Sequence, residues 1–303
     1  MKEYRYQLEK YTGPGSRYTC PMCGKKKEFT RYLDVYSGDH LADHVGKCNR
    51  HDKCGHHYTP AQYYQDNKHL TTQRPTPTTK VPPKAPIQPT SYTSRIHFFD
   101  SQDSYDKNSF MRFLVSHFGQ AKAEHLKRAY MLGTADHWGG SVVFWQVEDN
   151  GLIRGGKVMG YDATTGKRMK DQVTWVHTLL GIQDYNLRQV FYGEHLLSYN
   201  QKPIALVESE KTAIVASAYY PQFTWMATGS ATGLSEYKCR RLKGRVVVLF
   251  PDAGLFDQWQ KIGLRYRWHS DDSIEKRFLQ GEIPLGYDLA DDLLRHPWTA
   301  AQE

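Results

Sequence analysis

Four thiols crowd near the start of the chain. Cys20-Pro21-Met22-Cys23-Gly24 holds two of them, and Cys48 and Cys54 follow. A Cys-x-x-Cys turn aims two sulfurs at one ion, and the glycine permits the tight backbone beyond it. The separation of Cys23 from Cys48 suits two short hairpins closing over one Zn²⁺, a zinc ribbon. The second pair is spaced by five residues rather than two, so His51 is a rival ligand, with His56 and His57 nearby. The predicted ligands are Cys20, Cys23, Cys48 and Cys54, with His51 as the substitute. So small a module lacks the apolar core to hold itself, which gives the zinc a structural role. Lys25, Lys26 and Lys27 follow the first turn, and Tyr18, Phe29, Tyr32 and Tyr36 are interleaved with charge. Basic groups track phosphate and aromatic faces stack bases, so this front end suits single-stranded DNA. Phe29 reads better as part of the ribbon's own sparse core.

Carboxylates make the second constellation. Glu208 follows the apolar run Ile204–Val207, and Asp252 follows Val246–Phe250. In open α/β sheets ligands bind beyond the carboxyl ends of strands, where both acids fall. Asp288, Asp291 and Asp292 form a later cluster. Carboxylates converging from separate strands would hold Mg²⁺ or Mn²⁺, hard ions that prefer oxygen and keep waters for phosphate. Strand-end acids also serve as helix caps and turn formers. Asp288 could cap a helix over 289–294 and Asp252 could start a turn. The cations placed to meet phosphate are Arg154, Lys157, Lys167, Arg168 and Lys211, the first four of which also suit ordinary turns.

These residues need elements to position them. Residues 1–70 read as the zinc ribbon. Residues 71–94 hold six of the chain's 14 prolines and almost nothing large and apolar, the pattern of an extended, semi-stiff linker. Residues 95–200 open with Phe110, Phe113, Leu114, His117 and Phe118 at helical steps. They continue as alternating strands divided by turns at 148–151 and 162–166, an α+β lobe. Residues 201–303 alternate solid apolar strands at 204–207, 223–227 and 245–250 with helices, the order of a parallel sheet covered on both faces. The fold class is thus α+β and α/β behind a ribbon.

The 303 residues carry a net charge of +8. Residues 1–95 hold 16 Lys and Arg against 8 Asp and Glu, and the remainder holds 24 of each, so all the excess sits in the front third. A basic module joined to a neutral body fits a polyanionic partner. The mean hydropathy of −0.68, the lack of a long apolar run and the polar start exclude a membrane span and predict a cytoplasmic location.

Val207-Glu208-Ser209-Glu210-Lys211-Thr212-Ala213, then Ala227-Thr228-Gly229-Ser230-Ala231, then Pro251-Asp252-Ala253-Gly254 together resemble the three signatures of a Toprim domain. That is the catalytic fold shared by DnaG-type primases, topoisomerases and some nucleases. The resemblance implies Glu208 as general acid/base, Gly229 as the glycine after the second strand, and Asp252 as the first member of a Mg²⁺-binding Asp-x-Asp. Tyr287 to Asp292 is similar to a late acidic motif of phage and plasmid primases. The stretch from Trp175-Val176-His177 to Phe191-Tyr192-Gly193 resembles the segment that precedes Toprim in primases, where a basic lobe ends in an aromatic-Gly step. Ribbon, linker, lobe and Toprim follow primase order, and the whole chain resembles the Toprim primase-like proteins of Bacteroides-type mobile elements. Two positions depart. Ser209 replaces the usual glycine. Gly254 replaces the second Asp, leaving Asp257 or Asp288 as the substitute ligand. The resemblance implies a primase-type nucleotidyltransferase that uses nucleoside triphosphates and a separate replicative helicase, since no Walker A pattern occurs. The alternatives are a non-catalytic DNA-binding replication or mobilisation factor with a degenerate Toprim, and a Toprim nuclease.

Overall fold

The computed structural model describes residues 4–50, 53–67 and 89–295, and the chain divides into two compact units, Met1–Ile87 and Gln88–Glu303. Most of the expected linker, and His51, lie outside the described residues. No helix among those described is long and apolar enough to cross a membrane.

The first unit is a four-stranded antiparallel sheet in sequential order, β1 (Tyr6–Leu8), β2 (Phe29–Asp34), β3 (Gly46–Cys48) and β4 (His57–Tyr58). Its apolar centre consists of Cys20, Phe29 and Cys48. Gly46 is needed there, because a Cβ would overlap the Thr30 carbonyl oxygen on β2. Helix α1 (Pro60–Asp66) follows, started by a Thr59–Gln62 capping box and a proline in its first turn.

The second unit opens with α2 (Arg95–Asp100), α3 (Ser109–Phe118) and α4 (Gln120–Ala129). The periodic residues Phe110, Phe113, Leu114 and Phe118 of α3 are all buried. An antiparallel sheet follows in chain order: β5 (Leu132–Ala135), β6 (Ser141–Val147), β7 (Ile153–Tyr161) and β8 (Arg168–Trp175), closed by α5 (Val176–Leu179). The turn between β7 and β8 is tied by Asp162, whose Oδ1 accepts from the Thr164 and Thr165 amides.

The last hundred residues build a parallel sheet. Its elements are β9 (Ile204–Val207), α6 (Glu210–Tyr219), β10 (Thr224–Ala227), α7 (Glu236–Arg240), β11 (Val247–Leu249), α8 (Phe256–Tyr266) and β12 (His269–Ser270). Helices α9 (Ser273–Leu279) and α10 (Leu289–Leu293) complete the unit. The strand order is β10-β9-β11-β12, all parallel. Side chains of β9 alternate between two cores. Ala205 and Val207 join the cluster of α3, α4 and α6, whereas Ile204 and Leu206 join that of Trp259 and Leu242. A strand buried on both faces must be apolar at every position, which is why it reads as an unbroken run. Strand β12 has no signature in the sequence, because two residues are too short to show a period.

Candidate functional site

Cys20, Cys23, Cys48 and Cys54 come together as predicted: their sulfurs all lie within 4.8 Å of one another. Cys20 and Cys54 are 3.9 Å apart, close to the sulfur separation that a tetrahedral ion with ~2.3 Å Zn–S bonds demands. The backbone N–H of Lys25 faces the Cys23 sulfur and pulls its thiol down to about 7. The N–H of Arg50 faces Cys48 and that of His56 faces Cys54. Four sulfurs with amides aimed at three of them fit a closed, structural zinc site. His56 stacks on Phe29, and His57 Nε2 lies 2.9 Å from the Tyr32 hydroxyl, so neither joins the cluster. Lys25, Lys26 and Lys27 are exposed. Phe29 is fully buried, a core residue, whereas Tyr18 carries Arg31 on its face at 3.9 Å and Tyr36 is exposed.

The acids gather from three places. Glu208 lies in the turn leaving β9, Asp252 just beyond β11, and Asp288 at the N-terminus of α10. Burial, then the charges of Asp288, Glu208 and Asp291, push the Asp252 carboxyl up to about 8, against the pull of Lys211. Burial also raises Glu208, opposed chiefly by Lys157 and then by the amide of Ala231. Among the described residues, only the cysteines bring three ligand atoms within 4.8 Å, so the acids form a looser, mutually repelling ring. Asp288 does cap α10: its Oδ1 accepts from the Asp291 amide at 2.8 Å, and its Oδ2 accepts from the Thr212 hydroxyl at 2.8 Å.

The remaining predicted residues divide. Lys211 Nζ lies 3.7 Å from Asp291 and offsets the charge on Asp252. Arg168, exposed at the start of β8, acts on Glu208. Gly229 bonds directly to the site, its N–H donating to the Glu208 carbonyl at 2.9 Å from a left-handed backbone that favours glycine. Lys157 Nζ is spent on Glu210, at 3.0 and 3.2 Å, and on the Gly229 carbonyl. Arg154 is buried against Glu148. Lys167 stays in the exposed turn. Asp257 is exposed on α8, and Asp292 is held by Arg277 at 2.7 Å, so neither is drawn into the ring. Gly254 has φ +88°, and a Cβ there would overlap Leu285. Its N–H donates to Glu275 at 2.7 Å. The left-handed backbone at this turn therefore strains any side chain, while the exposed Leu285 is free to move aside.

Two residues of the site were not singled out from the sequence. Glu210 is 1% exposed, yet its partner Lys157 lies 53 residues away, and no local pattern links them. Lys238 is buried and donates to the Thr228 carbonyl at 2.9 Å. Burial lowers its ammonium to about 8. In the sequence it was one more lysine of a polar helix.

Residues 4–69 match the family model of a zinc beta-ribbon finger, and residues 108–253 match a domain of unknown function (DUF6371). Among curated proteins none matches. Similar solved structures include the primase fragment of the bacteriophage T7 primase-helicase protein. It is 12% identical, with 88% of this chain and 95% of that chain covered and a TM-score of 0.39. The DnaG catalytic core is 14% identical over 66% of this chain and 67% of that one, with a TM-score of 0.32. The E. coli primase catalytic core is 15% identical over 66% and 68%, also at 0.32.

Proposed function

We propose that the chain is a primase-type nucleotidyltransferase whose catalytic part is a Toprim domain. One observation carries the reading: Glu208, Asp252 and Asp288, from three separate segments, face one another at the carboxyl end of a parallel sheet, where burial first and then the neighbouring carboxylates raise Asp252 to about 8. Acids that repel one another on their own are stabilised by a cation, and three carboxylates are the donor set that Mg²⁺ or Mn²⁺ takes. Glu208, Asp252 and Asp288 would hold the ion, which would supply charge neutralisation for a triphosphate. Glu208, raised by burial, is suited to accept a proton from an attacking 3′-hydroxyl. Arg168 and Lys211 would face the phosphates. In this reading residues 1–70 present single-stranded template, the linker over 71–94 tethers it and ends bonded to the lobe, with the Ser91 amide on Asn186 and the Thr93 amide on Ile153, 95–200 form the lobe and 201–303 the Toprim domain. The setting is cytoplasmic replication of a mobile element, with a replicative helicase as a separate partner.

Gly254 favours a second reading, a non-catalytic DNA-binding factor, because it stands where the resemblance expects the second Asp and its left-handed backbone disfavours a side chain there. Incubation with single-stranded DNA, labelled nucleoside triphosphates and Mg²⁺ or Mn²⁺ decides. New oligonucleotides support the primase. Binding with no product supports the second reading, and nicking of the DNA points to a Toprim nuclease.

A further inference from the structure

In the second unit, four planar side chains form a row. Arg188 is exposed, and its guanidinium lies 3.6 Å from the centre of the Tyr237 ring. The Tyr237 hydroxyl accepts from Arg154 at 3.0 Å, and the Arg154 guanidinium lies 4.8 Å from the centre of Tyr92. Tyr92 is 45% exposed. The inner member is fixed, since Arg154 is buried and paired with Glu148. Tyr92 is fixed from both sides: the Ser91 amide donates to Asn186, and the Thr93 amide donates to Ile153. The row thus has a rigid middle and two open ends.

Arg188 makes no ion pair among the described residues, unlike Arg154 and Arg241. An exposed guanidinium on a ring contributes about 0.5–1 kcal/mol, less than the ~2 kcal/mol of rotamer freedom such a side chain carries. Folding therefore gains little from holding Arg188 on Tyr237. A nucleobase gains more, roughly 1–3 kcal/mol for each base stacked on an aromatic face. The position also fits. Tyr237 adjoins Lys238, which holds the Thr228 carbonyl, and the next residue, Gly229, bonds to Glu208.

We infer that Arg188, Tyr237, Arg154 and Tyr92 form a stacking surface for an unpaired nucleobase, supplied by a template strand or by a nucleoside triphosphate. This rests on the nucleotidyltransferase reading and assigns that site its base-holding wall.

The test is photo-crosslinking to the full-length, zinc-loaded protein, followed by peptide mapping. One arm uses a single-stranded oligonucleotide carrying 4-thiothymidine, the other 8-azidoadenosine triphosphate. Label on the peptides holding Tyr92 or Tyr237 is expected, and Arg188→Ala should reduce it about tenfold with an unchanged melting temperature. Tyr237→Phe, which keeps the ring, should retain most of it. Label from the oligonucleotide alone assigns the template, and label from the nucleotide alone assigns the incoming substrate. Label confined to the zinc ribbon or to the segments around Glu208 and Asp252 overturns the inference, as does wild-type labelling of Arg188→Ala. The two readings fail separately. Label on the row without oligonucleotide synthesis leaves the surface standing and removes the primase, whereas synthesis without that label does the reverse.

Discussion

The two units each gather ionisable groups on a sheet, and they hold them by opposite means. In the first, four thiols meet within 4.8 Å around an apolar centre of only three residues. In the second, carboxylates stand apart at the rim of a sheet buried on both faces, where 26 buried residues form the largest core. In the ribbon the ligands are the core, so the ion and the fold are one equilibrium. In the body the core folds without the acids, which are left with the repulsion that burial amplifies. A site that makes the fold tolerates no ligand loss. A site carried by the fold is destabilising by itself and gains stability when it loses charge.

The sharpest test of the contrast is Cys20→Ser. Structural zinc supplies about 10 kcal/mol or more in such modules. Zinc content is expected to fall from about one equivalent per chain to well under half. Single-stranded DNA affinity should drop, while the main thermal transition of the second unit persists. A shared collapse of both transitions would break the comparison. Next is Glu208→Gln, which keeps shape and removes the proton carrier. Nucleotidyl transfer should fall about 10²-fold or more with DNA binding retained, read by primer synthesis and fluorescence anisotropy.

Gly254→Asp attempts to restore the second acid. The left-handed backbone costs about 1–2 kcal/mol for a side chain, so the melting temperature should fall and nucleotidyl transfer should not rise above wild type. Asp252→Asn should do the opposite. Its carboxyl titrates up to about 8 in the folded protein, against an ordinary value of 3.8, so the native state holds the extra proton between them. The stability from that proton is full below pH 4 and is lost as pH rises through 8. Denaturant melts in metal-free buffer should show the variant about 1 kcal/mol or more ahead of wild type at pH 8, and level with it near pH 4. The smallest effect is expected at Asp257→Asn. This exposed residue of α8 should change stability by less than about 0.5 kcal/mol and leave any metal dependence intact. A loss of activity there would draw Asp257 into the ring.

Much of this was legible because the signals are local. Cys20 and Cys23 share one turn, and a turn is fixed by a handful of dihedrals. The runs Ile204–Val207 and Val246–Phe250 announce doubly covered strands by composition alone, and Phe110 to Phe118 announce α3 by period. Asp162 declared its turn because a short acid bonds its own neighbours' amides. Arg154 and Lys157 gave no such notice. Both sit on β7 and looked equally fit for phosphate, yet one is buried on Glu148 and the other is spent on Glu210.

The sequence by itself determined which groups could bind metal, which strands would be buried, and where the positive charge sits, because composition and short spacings need no partner. Only the tertiary structure decided which charges stay free. Lys157 meets Glu210 across 53 residues, Thr212 meets Asp288 across 76, and Asp252 feels three carboxylates from other segments. A carboxyl's proton affinity sums every charge within several ångströms and scales with the water excluded around it. Neither quantity exists until distant parts of the chain have packed together.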